Sequence, residues 1–124
     1  MDPISRQIEA AEGFALLGMD VDAWDTLEAL PARCRTWPAV LRVRLQICTA
    51  LDRWEMGAEI AKFITLVDPE PVREEAGRFH LAHAQMFCAL GNAKAARSAV
   101  AELAAVWPEG RTLVVESDAL EAIW

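Results

Sequence analysis

An all-helical fold follows from three features of this 124-residue sequence. Helix-favouring Ala, Leu, Glu, Arg and Met dominate from end to end. Apolar residues recur three and four apart, as in Val40, Leu41, Val43, Leu45, Ile47, Cys48 and Leu51, and again in Phe79, Leu81, Ala84, Met86, Phe87 and Leu90. Breakers interrupt this pattern at regular intervals. No stretch alternates apolar and polar residues as a strand would, apart from a weak hint at Thr112–Val115.

The breakers set the elements in order. Gly18 to Asp20 stops one helix and starts the next. Pro38 sits in a first helical turn, where its missing N–H does no harm. Leu51-Asp52 makes a tight corner. Pro69 and Pro71 end one helix and allow another to begin, and Gly91-Asn92 is a stop followed by a cap. Pro108 to Gly110 closes a further helix, and Ser117 caps a last short one. The expected helices lie near 4–17, 21–31, 38–51, 54–67, 71–90, 93–106 and 117–124. They make three hairpins and a terminal cap, and the short loops force antiparallel partners.

Length and composition bound the function. At 13.7 kDa the chain is expected to form a single domain, 1–124, and 54% apolar residues suffice for a real core. Twelve bases against nineteen acids give a net charge of −7. That sign argues against nucleic acid and against anionic lipid as partners. The charge is uneven. Residues 1–30 hold seven acids and one Arg, residues 31–66 six bases and three acids, and residues 67–124 nine acids and five bases. A basic middle thus lies between acidic flanks. Three scattered cysteines without a CxxC argue against a disulfide framework or a zinc knuckle. The first residues lack a basic-then-apolar leader, and no apolar run approaches the ~20 residues of a membrane helix. A cytoplasmic protein is the expectation.

The hairpins repeat one another. The first carries Ala11, Phe14, Gly18, Ala23, Leu27 and Leu30; the second Leu45, Cys48, Asp52, Gly57, Ala61, Ile64 and Pro69; the third Ala84, Phe87, Gly91, Ala96, Val100, Leu103 and Pro108. Ala23 to Gly57 is 34 residues and Gly57 to Ala96 is 39. This pattern resembles the tetratricopeptide repeat, with repeats near 4–37, 38–71 and 77–110 and a cap over 111–124. It departs from the family pattern at Asp52, where Gly is usual, at Cys48, where an aromatic is usual, and in about five extra residues around 69–76. A looser likeness links Leu30-Pro31, Arg35, Pro38, Arg53-Trp54 and the Asp118–Trp124 ending to short bacterial proteins of this class with no assigned function.

The resemblance implies a right-handed α-solenoid whose first helices line a concave groove for a peptide or a partner helix. Carried over by register, Ser5, Ile8, Glu12, Arg42, Gln46, Thr49, Arg78, Leu81 and Gln85 fall on that groove. The partner-binding set is Arg42, Gln46, Thr49, Arg78, Leu81 and Gln85. Arg42 and Arg78 resemble two basic members of the carboxylate clamp of some co-chaperone domains. Gln46, Ala82 and Glu12 stand where such a clamp has other residues. A groove with some carboxylate preference is therefore the sharper reading, and plain solvated helix faces the blander one.

Other candidates are weaker. His80 and His83 lie three apart with Cys88 beyond, but a zinc site needs three or four ligands, so a packed His pair is expected and no metal. Five Trp residues, Trp24, Trp37, Trp54, Trp107 and Trp124, suit packing between and at the ends of hairpins better than a docking cluster. No GxSxG, GxGxxG, GxxxxGK or HExxH occurs. The expected function is non-enzymatic protein binding, without cofactors. The alternatives are a small acidic secretion-type chaperone and a self-associating structural protein, with a homodimer as one form of the latter.

Overall fold

The computed structural model describes residues 2–123. The expected covering role of Trp124 lies outside the described residues. Among them the chain is helical, with no strand: α1 Pro3–Leu16, α2 Asp20–Glu28, α3 Pro38–Ala50, α4 Trp54–Val67, α5 Arg73–Ala89, α6 Ala93–Val106 and α7 Arg111–Glu116. Short 3₁₀ turns occupy Ala32–Cys34, Glu70–Val72, Pro108–Gly110 and Asp118–Ile123.

Local chemistry explains the starts. The Asp2 carboxylate accepts from the Ser5 amide at 2.9 Å and caps α1, with Pro3 in the first turn. Pro38 opens α3. The Asn92 side chain accepts from the Ala95 amide at 3.0 Å and caps α6. Each of these satisfies amides that a helix start leaves unpaired, or removes one. Glu74 and Glu75 lie in the first turn of α5, where the helix dipole favours acids.

The three hairpin turns close in the same way. The Met19 amide donates to the Phe14 carbonyl at 2.8 Å, Arg53 to Cys48 at 2.9 Å and Asn92 to Phe87 at 2.9 Å. Between donor and acceptor sits a residue with positive φ: Gly18 at 76°, Asp52 at 55° and Gly91 at 76°. This is the left-handed stop that terminates a helix and reverses the chain. Four residues after each donor comes a small buried residue, Ala23, Gly57 or Ala96, whose amide bonds back to the donor residue's carbonyl.

Four boundaries differ from expectation. Helix α2 ends at Glu28, not residue 31, because Pro31 disfavours the helical basin for Leu30; a 3₁₀ turn follows. Helix α5 starts at Arg73, behind a 3₁₀ turn, rather than at residue 71. The weak strand hint at Thr112–Val115 is helix α7. The final element is a 3₁₀ turn and not an α-helix.

The chain divides into two compact units, residues 1–60 and 61–124, with the boundary inside α4. In the first, α1, α2 and α3 enclose Ile8, Ala11, Ala23, Leu27, Leu30, Cys34, Val40, Val43 and Ile47. In the second, α5 and α6 enclose Ala84, Ala96, Ala99 and Leu103, and Val114, Leu120 and Ile123 join them from the C-terminal segment. Burying a side chain such as Leu27 or Leu103 contributes about 2 kcal/mol each. Ala11 and Ala23 are fully buried in the first unit, and Ala84 and Ala96 in the second.

Candidate functional site

The candidate residues lie on α3 and α5 and belong to different units. On α3, Gln46 is exposed and Arg42 and Thr49 are half-buried. The Thr49 hydroxyl donates to the Leu45 carbonyl at 3.0 Å, one turn back. That bond turns its oxygen toward its own helix and reduces what it offers a partner.

The strongest electrostatic feature of this unit is one the sequence reading did not select. Arg44 is buried, with only 7% of its surface exposed. Its Nη2 donates to Glu28 Oε1 at 2.9 Å, and its guanidinium lies 4.4 Å from the Trp24 ring centroid. Arg53 lies over the same ring at 5.1 Å. The aromatic quadrupole attracts both cations, and the carboxylate holds Arg44 in place. Trp24 is thus a packing residue between α2 and α3. Cys48 is fully buried, and burial pushes its thiol pKa up against the opposing pull of Arg53 and Arg44. It stays a neutral thiol. The signal for this cluster was present in the sequence as Trp24, Glu28, Arg44 and Arg53. Finding it required the pairing of α2 with α3.

On α5 the three candidates part company. Arg78 is exposed, and its Nε donates to Glu74 Oε2 at 3.0 Å one turn earlier. Its guanidinium also lies 5.2 Å from the Trp107 ring. An exposed pair of this kind contributes only ~0.3–0.5 kcal/mol, so Arg78 remains exchangeable toward a partner anion. Leu81 is partly buried against the core of its unit. The Gln85 amide donates to the Ser117 hydroxyl at 3.0 Å, 32 residues away. The chain's own C-terminal segment therefore engages Gln85, while Arg78 is engaged by the exposed Glu74 and by the Trp107 ring.

Trp107 has a specific seat. A Cβ at Gly77 would lie 2.6 Å from its Cε3 atom, and a Cβ at Gly110 would collide with the same atom. A side chain at either glycine would overlap the Trp107 ring. His80 is 8% exposed and makes an edge contact with Phe79 at 5.6 Å between ring centroids. His83 stacks on Phe87 at 4.3 Å. Burial, together with the neighbouring His83, pushes His80 down to about 4, and burial lowers His83 as well. The pair packs as neutral rings on α5.

Along the outer side of α7, Pro108, Glu109, Arg111, Thr112, Val115 and Glu116 line an open cleft of about 480 Å³. Among the described residues no three His, Cys, Asp or Glu side chains gather as metal ligands would, and no helix is long and apolar enough to cross a membrane. No family model, curated protein or solved structure matches this chain.

Proposed function

We propose that this protein is a tetratricopeptide-like helical repeat, arranged as a right-handed solenoid, that binds a protein or peptide and carries out no chemistry itself. The observation that carries the reading is the threefold hairpin closure. Phe14 to Met19, Cys48 to Arg53 and Phe87 to Asn92 make the same bond around Gly18, Asp52 and Gly91. Repeated helical hairpins stack into extended surfaces suited to holding peptides and helices. Within this reading the first helix of each hairpin presents the binding face. Arg42 and Gln46 serve on α3, and Arg78 serves on α5. A cation such as Arg78, held among the described residues by one exposed carboxylate and one ring, supports a preference for an acidic or carboxylate-bearing partner. Thr49, Leu81 and Gln85 are secondary to these, given their internal contacts.

The test is affinity capture from the host lysate with wild type, Arg42→Glu, Arg78→Glu and the double variant, each checked for helicity by circular dichroism. The expected outcome is a partner captured by wild type, weakened at least about tenfold by either reversal, and released by salt. A partner retained equally by all four proteins contradicts the assignment of these helix faces.

A further inference from the structure

The first unit ends in two surfaces of opposite character. One is the turn between α1 and α2, where Leu16 is 85% exposed, Leu17 75%, Val21 61% and Met19 42%. Four large apolar side chains at one turn form a patch of the kind that marks an interaction site. Acids surround it: Asp22 and Asp25 are exposed, and Glu12 and Asp20 are half-exposed. Arg53 is turned over the Trp24 ring.

The other surface lies at the far end of α2. That helix has nine residues, so the two ends stand about 13 Å apart along it. Beyond it the chain makes the 3₁₀ turn Ala32–Cys34, anchored by the fully buried Cys34. Arg33 and Arg35 project from this turn into solvent, with Trp37 38% exposed beside them. Of the acids at this end, Glu28 is already paired with Arg44, and Asp2 is held by the Ser5 amide and hydroxyl. The Asp2 carboxylate keeps its charge, but Arg33 and Arg35 outnumber it, so the balance at this end is positive.

We infer that the acidic, apolar α1–α2 turn of one copy docks on the basic Arg33–Trp37 turn of a second copy, so that the protein associates head to tail. The two surfaces match in charge, while head-on-head or tail-on-tail contact sets like charges together and costs free energy. The apolar quartet of one copy covers the exposed Trp37 ring of the next. A contact between different surfaces leaves a free head and a free tail on every oligomer, so it continues into chains unless a ring closes. The inference is independent of the α3 and α5 faces assigned above.

Sedimentation velocity and light scattering on the full chain test it. In about 50 mM salt the mass of wild type rises with protein concentration, and it falls as the salt is raised toward about 0.5 M. Leu16→Ser/Leu17→Ser removes the head, and Arg33→Glu/Arg35→Glu reverses the tail; all four sites are exposed, and circular dichroism reports that each variant keeps its helices. Each variant alone stays monomeric where wild type associates. An equimolar mixture, holding one intact head and one intact tail, gives a species of twice the monomer mass and nothing larger. A wild type that is monomeric at every concentration, an association indifferent to salt, or a dimer that both variants retain overturns the inference.

Discussion

Trp107 is held by the absence of two side chains. Gly77 on α5 and Gly110 in the following turn leave room for its ring, and any Cβ at Gly77 must push it aside. Gly77→Ala is therefore expected to destabilise the fold by about 1–3 kcal/mol, as overpacking does. Gly13, in α1 with open space around it, is the control: Gly13→Ala is expected to be neutral or stabilising by roughly 0.5–1 kcal/mol. Urea titrations of both variants against wild type check the pair. The two histidines on α5 tie stability to pH. His80 keeps its neutral form in the fold because burial opposes the charge, so its folded pKa of about 4 lies below the unfolded value near 6.5. A base with a depressed folded pKa contributes stability in full above the unfolded value. That stability is lost as pH falls from there through the folded value. His83 acts in the same direction. Between pH 7 and pH 5 the expected loss from His80 is roughly 2 kcal/mol at most. Urea midpoints at the two pH values measure it, and His80→Gln is expected to flatten the dependence.

At the scale of elements, what the sequence made legible was what local chemistry decides. The bounds of α4 and α6 agree with expectation because their signals are local: Asp52 and Asn92 before them, and Pro69 and Pro108 just after. Helix α7 was missed because Leu113, Val114 and Val115 carry no helical period over so short a stretch. It is a helix because Val114 and the turns around it pack on α6 and on the Asp118–Ile123 turn. The early end of α2 was readable in Leu30-Pro31, but the buried Leu30 resembled the last position of an apolar stripe. The candidate site was legible in part. The sequence pattern put Arg42, Gln46 and Gln85 on exposed faces; Gln46 is exposed, whereas Arg42 and Gln85 are half-buried. It had no access to Gln85 bonding Ser117, or to Arg44 over Trp24, because those contacts join residues 32 and 20 positions apart. Buried arginines are rare, so an Arg in an apolar run reads by default as a solvated face. Only its carboxylate and its ring explain why Arg44 is tolerated inside.

At the scale of the whole molecule, the uneven charge and the repeated turn carry the account. The acids of residues 1–30 and the bases of 31–66 meet within the first unit, where Glu28 pairs with Arg44 and the α1–α2 and 32–37 turns remain of opposite sign. Repetition has a simpler physical basis. Each hairpin needs one left-handed residue to stop its first helix and one small residue where its second helix crosses. The second hairpin meets the first need with Asp52, a residue type that enters the left-handed region at less cost than most. It is the hairpin that departs furthest from the pattern, and on it the claim of three equivalent repeats depends.

The most direct test is amide hydrogen exchange read residue by residue. Met19, Arg53 and Asn92 donate the three closing bonds, and their amides are predicted to exchange slowly as a matched set, at least about tenfold slower than in an unstructured peptide. If Arg53 exchanges at the rate of an unstructured peptide while Met19 and Asn92 are protected, the second hairpin does not close as the others do, and the repeat reading is contradicted.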